Sequence, residues 1–475
     1  MKRLLIVTML VLTVFSLSAY SILDMNSGNQ VFRGDARLLS MGNAGVYNQG
    51  KSVSLTLNPG LAGLLPEGLR IQFNPGTTIN SEDRSIPMYN FFDGYIDDAN
   101  YVSNNNAFGN LTGNISYKKQ LDGLGMGLFL GYNPVIDFNS NYEEQVRNDG
   151  NTDAGNSGDN SPNGYPPIIA RNFLESEGDL GGFNVGAGMS WNEQVSAGIM
   201  LQQLTGNWEY NRRIMWTNAA EDLTDNDLPD SDIEVSGEFD DAWRLGWGLA
   251  YEINERLGVG FAMQMKSELS REVTGSIDGI ASEEIFIDTI TVNGELDSLY
   301  WQDELEAEFA DYILPSSYRI GFRYHPRNVW ATYMNLDVEY VNYSDIDERF
   351  SDVTNYYLGL EHQINQKLPM RFGFNYKTSY HIFKDGDSEF ARKVTMPSFT
   401  AGTGFKLMKA IDVDLGIEYS LRKYDQLDLF MDGYYNQDGL WNEQEPMDRD
   451  WNNPDQVDES LITLQASFTW HWQVK

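Results

Sequence analysis

Side chains able to do chemistry are sparse in this chain. Its four histidines are His325, His362, His381 and His471. No two stand at the i, i+4 spacing of a helical metal pair, and no nucleophile elbow is present. His325 precedes Pro326 in a turn, His362 shares the apolar register of its segment, and His471 falls on the opposite register of the last one. Cysteine is absent, which excludes thiol nucleophiles, disulfide scaffolds and Cys-zinc sites. Oxygen ligands occur in two acidic clusters, Asp225-Asn226-Asp227 with Asp230 and Asp232, and Asp385-Gly386-Asp387 with Glu389. Neither completes a twelve-residue calcium loop. They fit solvated loop acids bridged to lipopolysaccharide by divalent ions. These features point to a protein that is not an enzyme and needs no cofactor or resident metal.

The charge balance narrows the partners. Lys and Arg total 33 against 69 Asp and Glu, a net charge of −36. A nucleic-acid partner is excluded, because phosphate binding needs clustered cations.

The elements that carry these residues alternate with period two. Phe183, Val185, Ala187, Met189 and Trp191 interleave with Asn184, Gly186, Gly188 and Ser190. The pattern recurs at Trp243 to Tyr251, Leu257 to Met265, Tyr318 to Tyr324, Thr332 to Tyr340, Met370 to Tyr376, Ile411 to Tyr419 and Ile462 to Trp472. Period two gives strands with one apolar face. The other face is mostly Gly, Asn, Ser, Thr and Gln, with scattered charges. Among these, Arg244, Arg319, Arg323, Glu339 and Arg371 point to a lumen or pair with acids inside it. Trp243 and Tyr251 bracket one strand, and eight residues at about 3.3 Å each span roughly 26 Å. That matches the apolar band of an outer-membrane barrel, about 25 Å tall and edged by aromatics.

Short links alternate with long ones. Leu121-Asp122-Gly123, Asn192-Glu193-Gln194, Asn254-Glu255-Arg256, Asn365-Gln366-Lys367 and Met408-Lys409-Ala410 make tight turns. The connections at about 138–180, 205–241, 268–316 and 422–460 read as long acidic loops. Short turns on one side and long loops on the other are the barrel pattern. The expected fold is all-β, a transmembrane antiparallel β-barrel of about 14 strands, even-numbered by rule.

The N-terminus reads as an export signal. Lys2 and Arg3 precede an apolar run from Leu4 to Phe15, followed by Ser16, Leu17, Ser18 and Ala19. The run is too short for a membrane span, which needs about 20 residues. Residues 1–21 are therefore expected to be a cleaved signal peptide. Residues 22–66 show little alternation, and residues 67–475 carry the barrel.

The segment before the first strand carries a family resemblance. Ala36-Arg37-Leu38-Leu39-Ser40-Met41-Gly42-Asn43-Ala44 and Asn58-Pro59-Gly60-Leu61-Ala62 resemble the outer-membrane long-chain fatty-acid and hydrocarbon transporters of the FadL/TodX type. Gly60 stands where that family usually has Ala. Leu314-Pro315-Ser316 and Met396-Pro397-Ser398 also look like its strand openings. PorV-type barrels are close relatives by the same pattern. The resemblance implies that residues 22–66 form a hatch inside the barrel, with Met41, Gly42, Asn58, Pro59 and Gly60 as hatch or ligand residues. Structural turn roles are the plainer account of those five.

It also implies a side opening at the third strand. There Leu124 to Tyr132 runs into Asn133-Pro134-Val135, and proline cannot complete a ladder. Pro134 either opens the wall or marks the strand's outer end. The implied function is passive uptake of hydrophobic compounds such as long-chain fatty acids or hydrocarbons, with lateral release into the membrane. A PorV-type barrel that binds secreted proteins and a general porin are the alternatives. Implied partners are hydrophobic small molecules, outer-membrane lipid and lipopolysaccharide, and the barrel-assembly machinery.

Overall fold

A computed structural model describes residues 22–472, apart from 32–33, 49–54, 90–91, 93, 148–167, 221–229, 293–294, 328, 366–367, 386–387, 431–450 and 453. The expected signal segment 1–21, the acids Asp225 and Asp227, the pair Gly386 and Asp387, and residues 473–475 lie outside the described residues.

The chain begins with a two-residue strand, β1 (Asn29–Gln30), a short helix, α1 (Ala36–Ser40), and a 3-10 turn, Pro59–Leu64. The wall follows: β2 (Gly68–Tyr89), β3 (Tyr95–Leu121), β4 (Leu124–Asp137), β5 (Ser140–Arg147), β6 (Ile168–Trp191) and β7 (Val195–Trp216). It continues with β8 (Ser231–Asn254), β9 (Leu257–Gln264) and β10 (Ser267–Ile277). An outer-loop excursion holds β11 (Ile280–Ala281), the hairpin β12 (Phe286–Val292) and β13 (Glu295–Tyr300), and α2 (Trp301–Phe309). Then come β14 (Asp311–Leu314), β15 (Ser317–Tyr324), β16 (Thr332–Val341), β17 (Val353–Asn365), β18 (Leu368–Asp385), β19 (Ser388–Met408), β20 (Ile411–Gln426) and β21 (Asp455–Trp472).

All wall pairings are antiparallel, and β21 closes on β2 with Leu69 opposite Trp472. Counting β4 with β5, β9 with β10 and β14 with β15 as single broken staves gives 14. Closure pairs the first wall strand with the last, which suits a medium that offers no hydrogen bonds. Apolar side chains such as Leu128, Leu130, Val185, Ile199 and Leu336 stand exposed on the outside. Trp191, Tyr251, Tyr324 and Trp472 mark the turn end of that band.

The tight turns sit where expected, and their backbone explains their residues. Asp122 and Gly123 have φ of 28° and 83°, and Asn192 and Glu193 have φ of 49° and 57°. Two successive positive φ values match the right-handed twist of a hairpin.

The expected long loops need correction. The region 138–180 holds β5 and the first half of β6, 205–241 holds the ends of β7 and β8, and 268–316 holds β10 to β14. The first wall strand, β2, runs 22 residues. The reason is a change of solvent. Beyond the lipid both faces meet water or polar partners, so the apolar alternation fades while the ladder continues.

Candidate functional site

The N-terminal segment lies inside the barrel, against inward-facing side chains of the wall. Asp35 caps α1 by accepting from Leu38 N–H at 2.8 Å, and its other oxygen accepts from Gln72 of β2 at 3.0 Å. This cap aims Arg37 at the wall. Arg37 meets Glu361 of β17 through two bonds of 2.8 and 3.2 Å. Glu361 also accepts from Arg371 at 2.7 Å, and Arg371 reaches Asp414 at 2.6 Å. Asp337 accepts from Gly45 N–H at 2.7 Å and Val46 N–H at 3.0 Å, and is paired with Arg319. Arg319 in turn donates to the Asn43 carbonyl, and Glu418 accepts from the Asn43 amide at 3.0 Å. Here the expected polarity is reversed in part. The segment brings the cation Arg37, and the wall supplies the acids Glu361, Asp337 and Glu418.

Backbone also packs directly on backbone. A Cβ on Gly373 would lie 2.1 Å from Gly42 N, one on Gly359 2.4 Å from Met41 O, and one on Gly127 2.1 Å from Ala62 O. Gly198 faces Pro59 and Gly248 faces Asn58 in the same manner. Glycine at one height of the inward register leaves a girdle into which the segment fits. Sequence reasoning took these glycines for the polar face. Their recurrence at one height on successive strands is the signal that could have shown the girdle.

The five hatch or ligand candidates all sit in this docking surface. Met41 caps α1, and Gly42, at φ 62°, donates to Thr400 at 2.9 Å. Asn58 caps the 3-10 turn by accepting from Gly60 N–H at 2.9 Å, and donates to the Val46 carbonyl at 2.7 Å and the Leu249 carbonyl at 3.1 Å. Pro59 begins that turn, where its missing N–H costs nothing.

Above the girdle, residues 22–31 thread the upper lumen. Asp24 is paired with Arg422 at 2.5 Å. The Met25 carbonyl accepts from Trp208 Nε1 at 2.9 Å, and Tyr312 donates to the Ser27 carbonyl. Trp208, Phe138, Phe239, Leu269 and Leu305 of α2 form an apolar cluster on the inner face of the mouth. Phe430 stacks on Tyr142 and lies under Arg212. Among the described residues, no group of three His, Asp or Glu side chains could hold a metal ion.

The third stave is where the wall changes partner. The β3–β4 ladder runs from Leu121 opposite Leu124 to Gly113 opposite Tyr132, and stops there. Beyond it β4 keeps its bonds to β6 through Gly181 opposite Pro134, with a bulge before Ile136. Its other edge is taken from inside by β1, with Gln30 opposite Ile136 and Asn29 opposite Asp137. Val31 N–H adds a bond to the Val135 carbonyl at 3.1 Å. Asn133 faces the lumen, accepting from Asn184 at 2.6 Å. Pro134 is thus not the outer end of the stave, which resumes as β5.

A luminal cavity of about 150 Å³ lies between the segment and the opposite wall. Val31, Leu38, Leu57, Leu314 and Val341 give it apolar surface. Arg244, Arg319, Glu339 and Lys377 give it charge. None of Met41, Gly42, Asn58, Pro59, Gly60, Asn133 or Pro134 lines it.

No protein-family model matches the sequence, and no curated protein sequence matches it. Solved structures do match the fold. A Pseudomonas aeruginosa FadL homologue superposes with a TM-score of 0.57 at 10% identity, over 94% of this chain and 99% of its own. The P. putida toluene transporter TodX gives 0.52 at 12%, over 94% and 100%. The Ralstonia pickettii toluene transporter TbuX gives 0.51 at 12%, over 93% and 99%. The chain shares the FadL/TodX-type barrel fold over more than nine-tenths of its length.

Proposed function

We propose that the protein is an outer-membrane channel for passive uptake of hydrophobic compounds, in the class of long-chain fatty acids or hydrocarbons. The observation that carries this reading is the third stave, where β1 occupies an edge that β3 has left. A molecule enters from the mouth, lodges in the luminal cavity, displaces β1 and leaves through the wall at Asn133 and Pro134. Lateral release suits cargo that dissolves in lipid and not in water. Residues 22–66 act as the hatch, and residues 1–21 direct export before removal.

Size supports the need for movement. A cavity near 150 Å³ takes about one benzene ring, so a sixteen-carbon chain requires β1 to shift. The charged lining suits an amphiphile whose polar end faces Arg319 and Lys377.

Native mass spectrometry of the detergent-purified protein with oleate or hexadecane tests the reading. A bound species of matching mass, displaced by competitor, is expected. A protein without lipid adduct that co-purifies with a secreted protein overturns it. Pro134→Val tests the exit: uptake by cells should fall to about a fifth with binding retained, and unchanged uptake sinks the gate.

A further inference from the structure

The third stave has a counterpart four staves further round the wall. β9 stops at Gln264 and β10 starts at Ser267, while β14 stops at Leu314 and β15 starts at Ser317. The ladder joins Gln264 to Ser317 and Ser267 to Leu314. Met265 and Lys266 therefore face Pro315 and Ser316 outside the ladder. The other side of the stave is interrupted at the same height. β8 pairs β9 up to Gly246 and pairs β10 again from Phe239 downward in number; between them the regular ladder gives way to a bond from the Met265 N–H to the Leu245 carbonyl at 2.9 Å and one from the Ser267 hydroxyl to the Trp243 carbonyl at 3.3 Å. Both interruptions fall some seven or eight residues above their turns, Gln264 from Leu257 and Tyr132 from Leu124. At about 3.3 Å per residue and a tilt near 45°, that is the upper part of the lipid band.

On the β14–β15 side the gap is bridged by Arg244. Arg244 is buried on the inner face, donating Nε to the Met265 carbonyl at 2.9 Å and a terminal nitrogen to the Pro315 carbonyl at 2.6 Å. Proline supplies no N–H for a ladder there. A guanidinium fork can hold two carbonyls on different strands, and its charge strengthens both bonds. On the outside, Trp243 and Met265 are exposed toward lipid. On the inside, Arg244, Gln264, Leu314, Pro315 and Ser317 line the luminal cavity. An interrupted ladder is expensive in a medium without hydrogen bonds, and this one lies against the cavity. The adjoining β15–β16 ladder runs unbroken through eight pairs.

We propose that this interruption is a second lateral portal, which connects the luminal cavity with the outer half of the membrane and is latched by Arg244. It passes apolar molecules the width of a single chain or ring. The nature of the cargo rests on the uptake reading above. The portal itself does not.

The chain has no cysteine, so an introduced one is unique. Val341→Cys places a thiol in the cavity lining, on β16 and away from the third stave. The full-length protein is placed in phosphatidylcholine vesicles and labelled with N-phenylmaleimide dissolved in the lipid. Arg244→Ala should raise the labelling rate at least tenfold, and Arg244→Lys less. Pro315→Val, which restores an N–H, should slow labelling about fivefold below the parent. A variant that slows labelling cannot be explained by misfolding, so it guards against collapse of the Arg244 variants. Pro134→Val should leave the rate unchanged. Rates within twofold of the parent for both Arg244→Ala and Pro315→Val overturn the portal. So does a rate that follows Pro134→Val instead. No cargo enters this measurement. A failure to bind oleate or hexadecane would therefore count against the uptake reading alone.

Discussion

The lower and upper halves of the lumen are closed by different means. In the lower half, charge and bare backbone seal the barrel: Glu361 sits between Arg37 of the segment and the wall cation Arg371, and Gly373 lets the chain at Gly42 lie on the sheet. In the upper half, rings and aliphatic chains do most of it, with Trp208, Phe138, Phe239 and Leu305 around the thread at residues 24–30 and the Asp24–Arg422 pair tying down its start. The wall differs in the same sense. Its ladders part above the girdle at Tyr132 and at Gln264, while beside the girdle the β2–β21 ladder skips two pairs at Asn74 and Pro75 without losing register. A buried ion pair in low dielectric is costly to separate once formed. An apolar contact is non-directional and can re-form after sliding. The lower closure is suited to staying shut and the upper one to yielding.

The largest expected effect breaks the lower half. Glu361→Ala leaves Arg37 and Arg371 buried without their shared carboxylate, and losing one partner of a buried pair costs about 3–5 kcal/mol. Conductance in planar bilayers should rise several-fold while the mouth stays closed to added protease. Unchanged conductance and melting would show that the charges do not hold the segment. Next comes Gly373→Val, which forces side-chain atoms into the space of Gly42. Overpacking of this kind costs about 1–3 kcal/mol, and a cut by trypsin after Arg37 should appear.

Trp208→Phe acts on the upper half. It keeps the ring and removes the 2.9 Å bond to the Met25 carbonyl, a loss of about 1 kcal/mol. Amide exchange at residues 25–30 should speed about fivefold with conductance unchanged. Equal acceleration at residues 36–46 would show the two halves to be one unit.

The smallest effect is at the outer loop between β16 and β17. Asp347 accepts from Arg349, and Arg349 also meets Glu389 at 2.6 Å. The Arg349 hydrogen bonds hold the Asp347 carboxyl below its usual range. A depressed value means the contribution is present above the unfolded carboxylate range, near 3.9, and fades as pH falls through the folded value. Acidification from pH 5 to pH 2 should loosen residues 343–352 in exchange experiments and leave the girdle protected. High salt should mimic part of this.

How much of this was legible beforehand depended on lipid. Where strands meet it, alternation at Phe183 to Trp191 or Ile411 to Tyr419 marked each one, and the Asp122-Gly123 and Asn192-Glu193 turns set the frame. Above the lipid the same strands lost their pattern. β5, β10 and the outer parts of β2 and β7 therefore read as loops. The inner architecture was half visible. Arg319 and Arg371 stood out as inward charges, but pairing across hundreds of residues has no local signature. The glycine girdle needed strand heights, which a linear pattern does not supply. Pro134 was visible as a break. That β1 would take the edge beside it was not, because Asn29-Gln30 is too short to announce a strand.

The length of β3 has a consequence for the cell surface. Twenty-seven residues at about 3.3 Å and a tilt near 45° rise roughly 60 Å. The apolar band uses about 25 Å of this, so the stave stands some 35 Å clear of the bilayer. On the uptake reading proposed above, the mouth is then a chimney through the sugar layer. Its acid-rich rim holds a cloud of counterions at the height where a dilute molecule first arrives. Entry would take place in open water, and the protein itself would bridge the hydrated thicket that an oily solute cannot cross.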